Sequence, residues 1–275
     1  MRRLPACKLG IGLIAGIAIA LAFATRPLTA PLPTTIALAD LTWVEVRSAL
    51  AHGYTTVIVP TGGIEQNGPH MILGKHDYIV RRAAETIATE LGHALIAPVV
   101  SYVPEGSYDP PSGHMRFPGT IGIPEAAYGA VIEGIARSLK AGGFKVICFI
   151  ADHGGSQAPQ AEVATRLNAE WAGQGVAVVH VDAYYADAAQ VALLLGQGES
   201  RAAIGEHASI IDTSELMAVH PEGVDLARAR EQPVSLQPTG VRGDPGTASA
   251  ERGRQLLAIR IRAAVEQIRA RLAGR

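Results

Sequence analysis

The chain has 275 residues, a length that suits one large domain or two small ones. Its composition is that of a globular protein, with 48% hydrophobic, 18% charged and 5% aromatic residues. The formal net charge of -1 gives no electrostatic reason to expect nucleic acid or an anionic membrane surface as a partner.

The first 24 residues are predicted to be an export signal and not part of the fold. Arg2, Arg3 and Lys8 give a basic start, an uncharged stretch follows, and Ala22-Phe23-Ala24 fits a small-x-small cleavage site. The uncharged stretch, residues 9–24, is shorter than the ~20 residues of a spanning helix. We therefore expect a periplasmic or secreted protein without membrane contact after cleavage. The alternative is a retained N-terminal anchor that holds the protein on the membrane.

The rest of the chain is predicted to be one domain behind a short linker. Residues 25–39 are rich in Pro and Thr and indicate the linker, and residues 40–275 show no repeat and no break in composition. Cleavage of the signal would leave Cys148 as the only cysteine, so the mature chain is expected to lack an internal disulfide. Cys148 lies in an apolar run and is predicted to be a buried small hydrophobe.

Apolar, β-branched runs alternate with helical patterns along this domain. The predicted strands lie at 55–60, 94–103, 145–151 and 176–181. The predicted helices lie at 78–91, 124–141, 158–172, about 214–219, and 248–272. Because the strands are apolar throughout, they predict a mostly parallel sheet with helices on both faces, a three-layer α/β/α fold.

The last predicted helix has an apolar side and many arginines. Its apolar side is predicted to pack inward through Leu257, Ile261, Val265, Ile268 and Leu272. The arginines are predicted to form a solvated face, in preference to a binding patch.

Two turns rich in metal-ligand residue types follow predicted strands. Glu65 begins the turn at 65–70, and His153 lies in the turn at 152–155. The carboxyl ends of parallel strands line the crevice in which α/β proteins bind ligands. Carboxylates and imidazoles suit zinc, iron or manganese. The pattern predicts a metal-assisted active site with Glu65 and His153 as ligands; the alternative is a pair of polar turns without a ligand.

Two further segments supply candidate site residues. Asp77 directly precedes a predicted helix and would serve as its N-cap, which favours the adjacent His76 over Asp77 as a third metal ligand. His207 and Asp212 flank a short turn before another helix. A histidine near a metal is a natural general acid or base, because its ordinary pKa of ~6.5 is near working pH. The alternatives are a core histidine for His207 and a helix cap for Asp212.

In series, these segments resemble the motifs of the creatininase family of metal-dependent amidohydrolases. The family's Glu-Gln-His-Gly-Pro-His block has its counterpart at 65–70, its Asn-Gly-His-Gly-Gly-Asn block at 151–156, and its His-Ala-Gly-x-x-Glu-Thr-Ser block at 207–214. Two further family blocks correspond to 114–120 and 240–245, and all five occur in family order. The resemblance implies a three-layer α/β/α fold, metal at the strand ends and hydrolysis of a C–N bond in a small cyclic or linear amide. It also implies a homo-oligomer, since creatininases are known as hexamers.

The resemblance further implies a role for each matching residue. Glu65 and His153 match the first metal site, His207 matches the histidine that acts near the leaving nitrogen, and Asp212 matches a glutamate beside the metal centre. Metal-activated water would be the nucleophile and His207 the proton shuttle. His70 and His114 lie in family blocks and are predicted to form hydrogen bonds in the pocket wall.

The chain also departs from the family pattern. Asn67 stands where the family has its second-metal histidine, and Gly155 where creatininase itself carries a glutamate. His76 stands where the family has the aspartate that bridges both metals, and Asp77 matches that aspartate only after a one-residue insertion.

These departures predict a site for one metal, zinc with iron or manganese as alternatives, and a natural substrate other than creatinine. The expected ligands are Glu65, His153 and His76 or Asp77, with Asp212 beside them. The alternative function is a catalytically degenerate relative that binds a ligand or only assembles.

Overall fold

The computed structural model describes residues 32–230 and 239–274. The predicted signal segment and most of the predicted linker lie outside these residues. Within the two described ranges, no helix combines the length and the apolar character that a membrane crossing requires.

A parallel four-stranded sheet forms the centre of the fold. Its strands are β1 (Thr56–Thr61), β2 (Ala94–Ile96), β3 (Val146–Ala151) and β4 (Ala177–His180), in the order β2-β1-β3-β4. Every neighbouring pair is parallel. All residues of β1 and β3 are buried, as expected for central strands covered on both faces. The predicted parallel sheet is confirmed.

Helices precede, connect and follow these strands. They are α1 (Trp43–Ala51), α2 (Lys75–Leu91), α3 (Glu125–Ala141), α4 (Gln157–Glu170), α5 (Ala188–Gly196), α6 (Arg201–Ile204), α7 (Ile210–Val219), α8 (Leu226–Arg230) and α9 (Ala250–Ala273).

The helices form two layers, one on each face of the sheet. On one face, Cys148 and Ile150 of β3 share a core with residues of α2, α7 and α9. On the other face, Ile147 and Phe149 share a core with residues of α1, α3 and α4. This alternation along β3 follows from the two-residue period of a strand. The three-layer α/β/α prediction is therefore confirmed.

Several elements differ from the sequence prediction. Strand β2 ends at Ile96, and the rest of the apolar segment forms only isolated bridges, such as those of Val100 and Val103. Ala97 N still donates to Ile58 O, but the next hydrogen bond to β1 runs from Val100 N to Pro60 O, three residues on in place of two, so the regular ladder is interrupted there. The predicted linker also reaches the sheet at its end, where Ile36 O accepts a hydrogen bond of 2.8 Å from Ile96 N.

The structure contradicts one prediction and one alternative about helix ends. Helix α2 begins at Lys75 after the N-cap residue Gly74, so Asp77 lies in the first turn and is not the N-cap. Helix α7 begins at Ile210 after Ser209, so Asp212 does not cap that helix either.

The prediction of a solvated arginine face is wrong for Arg260. This side chain is buried, and its guanidinium lies 2.7 Å from Asp152 Oδ1 and 2.7 Å from Glu215 Oε2. Two carboxylates compensate the guanidinium for the loss of water. Arg254 and Arg262 are exposed, as predicted. Of the apolar side of α9, only Leu272 departs from the prediction, with 36% of its surface exposed.

Candidate metal site and active site

The candidate site lies where the chain leaves the carboxyl ends of β1, β2 and β3. Glu65 follows β1, Glu105 lies in the loop beyond β2, and His153 follows β3. Together with His207 they line a pocket of about 650 Å³. This placement agrees with the strand-end crevice that the sequence predicts.

One oxygen of Glu65 faces a cluster of metal-ligand types. Glu65 Oε2 lies 3.1 Å from His153 Nε2 and 3.3 Å from His114 Nε2, and His153 Nε2 lies 3.1 Å from Glu105 Oε2. Each of these four residues has a ligand atom within 4.8 Å of those of the others. Burial opposes protonation of His153, but Glu105 and Glu65 raise its pKa to about 9. Two carboxylates and two imidazoles suit a divalent transition metal.

Glu105 provides a test of whether a metal fits this cluster. Its side chain is buried, and burial raises its pKa. Among the residues that the structure describes, neither of its oxygens has a hydrogen-bond partner of good geometry. A buried carboxylate without such partners is costly. A divalent cation in the cluster would satisfy it, so the residues present fit a metal ion.

The sequence analysis did not identify Glu105. The sequence does contain a feature that could have identified it, because Glu105 follows an apolar, strand-like segment just as Glu65 follows β1. Gly155 explains how the Glu105 loop reaches the site, since a Cβ there would lie 2.5 Å from the Pro104 carbonyl oxygen. The glycine that departs from the creatininase pattern thus makes room for a carboxylate from a different loop.

The other oxygen of Glu65 faces a second group of side chains. Glu65 Oε1 lies 2.6 Å from His76 Nε2, 3.6 Å from Lys75 Nζ and 3.8 Å from His207 Nδ1. Burial alone would raise the pKa of Glu65, but His76, His153 and Lys75 hold it well below its ordinary value. Glu65 is therefore ionised and joins the two groups.

The structure separates the two candidates His76 and Asp77. His76 lines the pocket, and its Nδ1 lies 2.7 Å from Asp152 Oδ2. Asp77 lies outside the pocket lining and accepts hydrogen bonds from Gly63 N at 3.1 Å and Ser101 Oγ at 2.5 Å. Of the two, His76 is the one placed to take part in the site.

His207 is buried at the pocket with a defined orientation. Its Nε2 lies 3.0 Å from both the backbone oxygen and the side-chain nitrogen of Gln66; donation to the backbone oxygen selects the tautomer whose Nδ1 lone pair is on the side of Glu65. Burial, assisted by the charge of Lys75, lowers the pKa of His207 to about 4. The expectation of an ordinary pKa near ~6.5 is therefore wrong, and His207 is neutral near pH 7.

Asp212 holds the turn that carries His207. Its Oδ2 accepts a 2.6 Å hydrogen bond from Ala208 N, and Ala208 has a φ of 52°, a conformation that is costly for a residue other than glycine. Burial alone would raise the pKa of Asp212, but Lys75 brings it to about 2. Asp212 Oδ1 lies 3.2 Å from Lys75 Nζ. Asp212 thus acts as a fixed anion beside the site.

The other two histidines of the motifs have different surroundings. His70 is buried outside the pocket lining, with its Nε2 3.0 Å from Thr213 Oγ1, so it forms a side-chain contact but not in the predicted pocket wall. His114 Nδ1 lies 3.0 Å from the Gln66 side-chain nitrogen, but its Nε2 faces Glu65 in the four-residue cluster. The structure thus places His114 among the possible metal ligands, whereas the sequence predicts only a hydrogen-bonding role in the pocket wall.

Comparison with known proteins identifies the family. The family model described as creatinine amidohydrolase, Creatininase, matches residues 39–268. The chain belongs to the creatininase family. It is 26% identical over 250 residues to creatinine amidohydrolase of Pseudomonas putida, covering 84% of this chain and 95% of that protein. It is 27% identical over 234 residues to the mycofactocin precursor peptide peptidase of Mycolicibacterium smegmatis, covering 78% of this chain and 84% of that protein.

Solved structures of creatininase share the fold. A mutant creatininase superposes with a TM-score of 0.71 at 23% identity, covering 86% of this chain and 98% of that chain. The structure named "Creatininase Mn" gives 0.70 at 24% identity, covering 86% and 98%. The family relationships confirm the prediction of a metal-dependent amidohydrolase of the creatininase type.

Proposed function

We propose that this creatininase-family protein hydrolyses a C–N bond in a small cyclic or linear amide with one bound divalent metal ion. The observation that carries the proposal is the buried Glu105 carboxylate, which lies 3.1 Å from His153 Nε2 but forms no hydrogen bond of good geometry with the described residues. The proposed ligands are Glu65, Glu105, His114 and His153. His76, predicted as a ligand from the sequence, meets the other oxygen of Glu65 and is proposed to hold that carboxylate in place.

The proposed ion is zinc, with iron and manganese as the alternatives that the same ligand types accept. A divalent ion at this site would acidify water and polarise an amide carbonyl.

The residues of the chain supply the proton transfers. His207 is neutral near pH 7, so it can accept a proton, and with a pKa of about 4 it would then readily give that proton to the leaving nitrogen. Asp212, predicted from the sequence as a catalytic residue, fixes the His207 turn through Ala208 N and is proposed as a positioning residue.

The size of the pocket supports a small substrate. Its volume of about 650 Å³ lies within the range of small-molecule sites. One relative is named for creatinine and another for a precursor peptide, so a cyclic amide and the end of a short peptide are the two substrate types to test. Asn67 and Gly155, which replace family residues, support a substrate other than creatinine.

Export and assembly are further parts of the proposal. We propose cleavage after Ala24, supported by the Ala22-Phe23-Ala24 site, and a periplasmic or secreted homo-oligomer, with the family's hexamer as the expected form. The intact mass of the mature chain would test the cleavage site, and the sedimentation coefficient would test the oligomeric state. A retained N-terminus would favour a membrane anchor.

The experiment that tests the function is elemental analysis of the mature protein, purified without chelator, followed by an amide screen. We expect about one metal ion per chain and hydrolysis that Glu65→Gln abolishes. No metal after reconstitution, or metal without hydrolysis of any amide or peptide, would favour the degenerate relative that only binds or assembles.

A further inference from the structure

Lys75 occupies an unusual place for a lysine. It is the first residue of α2, and its side chain is completely buried beside the pocket. A cation in the first turn of a helix is opposed by the helix dipole, and burial of an ammonium group is costly. Neither helix preference nor packing accounts for a lysine at this position, so its neighbours must.

Those neighbours are two carboxylates from different elements. Lys75 Nζ lies 3.2 Å from Asp212 Oδ1 in α7 and 3.6 Å from Glu65 Oε1 after β1. In the parts of the chain that the structure describes, the ammonium has no well-oriented hydrogen bond. It is held by charge, as a metal ion would be, and not by directed donor geometry.

Glu65 links this ammonium to the proposed metal ion. Its Oε2 faces His153 in the metal cluster at 3.1 Å, and its Oε1 faces Lys75. His207 Nδ1 also approaches Oε1, at 3.8 Å. Glu65, Asp212 and His207 thus surround the Lys75 side of the site with ligand types that bind divalent cations.

We propose that the Lys75 ammonium fills the place of a second metal ion and thereby restricts the site to one. The inference rests on the proposed metal site. Lys75 is a positioning residue: its buried Nζ faces Glu65 and Asp212, and it acts by fixing these two carboxylates. Its removal would leave these two carboxylates without their cation, and mutual repulsion would favour uptake of an ion from solution.

The test is the number of Mn²⁺ ions that metal-free protein binds per chain. Isothermal titration calorimetry would measure it, and elemental analysis of the loaded protein would check it. Wild type is expected to bind one ion per chain and Lys75→Ala two. Lys140→Ala, which removes the same charge from α3 on the other face of the sheet, is the matched control and should bind one. The double variant Lys75→Ala/Asp212→Asn should return to one, because it lacks the second carboxylate.

The outcomes separate the two proposals. One ion in both wild type and Lys75→Ala would overturn the role of Lys75 alone, and two ions in the double variant would overturn the part given to Asp212. No ion in wild type would overturn the proposed function and this inference with it. If Lys75→Ala does not fold, Lys75→Gln removes the charge with less loss of volume and takes its place, with the same expected count of two.

Discussion

At the scale of single residues, Glu65 organises the site through its two oxygens. One oxygen meets His153 and His114 and the other meets His76 and Lys75. A carboxylate shared in this way keeps its negative charge and its orientation, since each side supplies a positive or protonated partner. Changes on the two sides are therefore expected to have different effects on metal binding and on turnover.

Loss of a residue that only hydrogen-bonds a metal ligand typically lowers metal affinity by about 10–100-fold. Glu105→Gln is expected to lower it by more, because a proposed ligand itself is lost. The amide keeps the volume of the side chain and removes its charge. Competition with a chromophoric chelator for Zn²⁺ would measure the affinity. Glu206→Gln, a change of the same type at an exposed residue of the pocket rim, is the control. Equal affinities for the two variants would remove Glu105 from the ligand set.

The histidines on the two sides of Glu65 can be compared directly. His114→Gln is expected to lower the affinity for Zn²⁺ more than His76→Gln, since only His114 lies in the four-residue cluster. The same competition measurement applies. The reverse order would restore His76 to the ligand position that the sequence predicts.

His207→Gln is expected to lower kcat by about 10²–10⁴-fold, the usual contribution of a general acid or base, and to leave the metal content unchanged. Steady-state kinetics on the amide found by the screen, with metal analysis of the same sample, would measure both. His52→Gln, at an exposed residue in no motif, is the control. A parallel loss of metal and activity would show that His207 supports the metal and does not transfer protons.

At the scale of elements, the crossing of α7 and α9 holds the His207 turn against the body of the fold. Gly253 in α9 lies against α7, and a Cβ there would overlap the carbonyl oxygen of Ser214. The buried Arg260 of α9 also contacts Glu215 of α7 at 2.7 Å. Close backbone approach and a buried ion pair thus fix the helix that begins just after His207.

Gly253→Ala is expected to destabilise the protein by about 1–3 kcal/mol or more, since the two helices must separate to admit the methyl group. Gly134→Ala in α3 is the matched control. No atom within the described part of the chain comes within 4 Å of a Cβ placed there, so the substitution should stabilise by about 0.5–1 kcal/mol. Urea unfolding monitored by circular dichroism would measure both. An unchanged free energy of unfolding for Gly253→Ala would mean that α7 and α9 lie farther apart at this position than the structure shows.

At the scale of the whole molecule, the site joins segments that are distant along the chain. Glu65, Glu105 and His153 come from three different strand exits, and Asp212 comes from α7. Without a metal, the buried carboxylates of Glu65 and Glu105 both lie 3.1 Å from the same nitrogen, His153 Nε2. Binding of a cation should therefore stabilise the complete fold and not a single loop.

We expect metal removal by a chelator to lower the Tm, and metal addition to restore it. A ligand that binds only the folded state stabilises by about 2.7 kcal/mol at 100 times its Kd. Differential scanning calorimetry with and without Zn²⁺ would measure the shift, and Glu105→Gln should show a smaller one. An identical Tm with and without the metal would contradict a structural coupling of the site to the fold.

The sequence by itself determined the parallel sheet, most of the long helices, the strand-end position of Glu65 and His153, and the family. These features depend on local patterns: runs of apolar residues, helical periodicity and short motifs at strand exits. The sequence analysis does not predict the shorter helices α1, α5, α6 and α8.

Only the tertiary structure decided which distant groups meet. Glu105 reaches His153 because Gly155 leaves room for its loop, and Arg260 is buried because Asp152 and Glu215 face it. Lys75 reads as an ordinary polar residue of a turn until α2, α7 and the loop after β1 surround it. The burial and charge of such residues are set by neighbours far along the chain, and no local pattern encodes them.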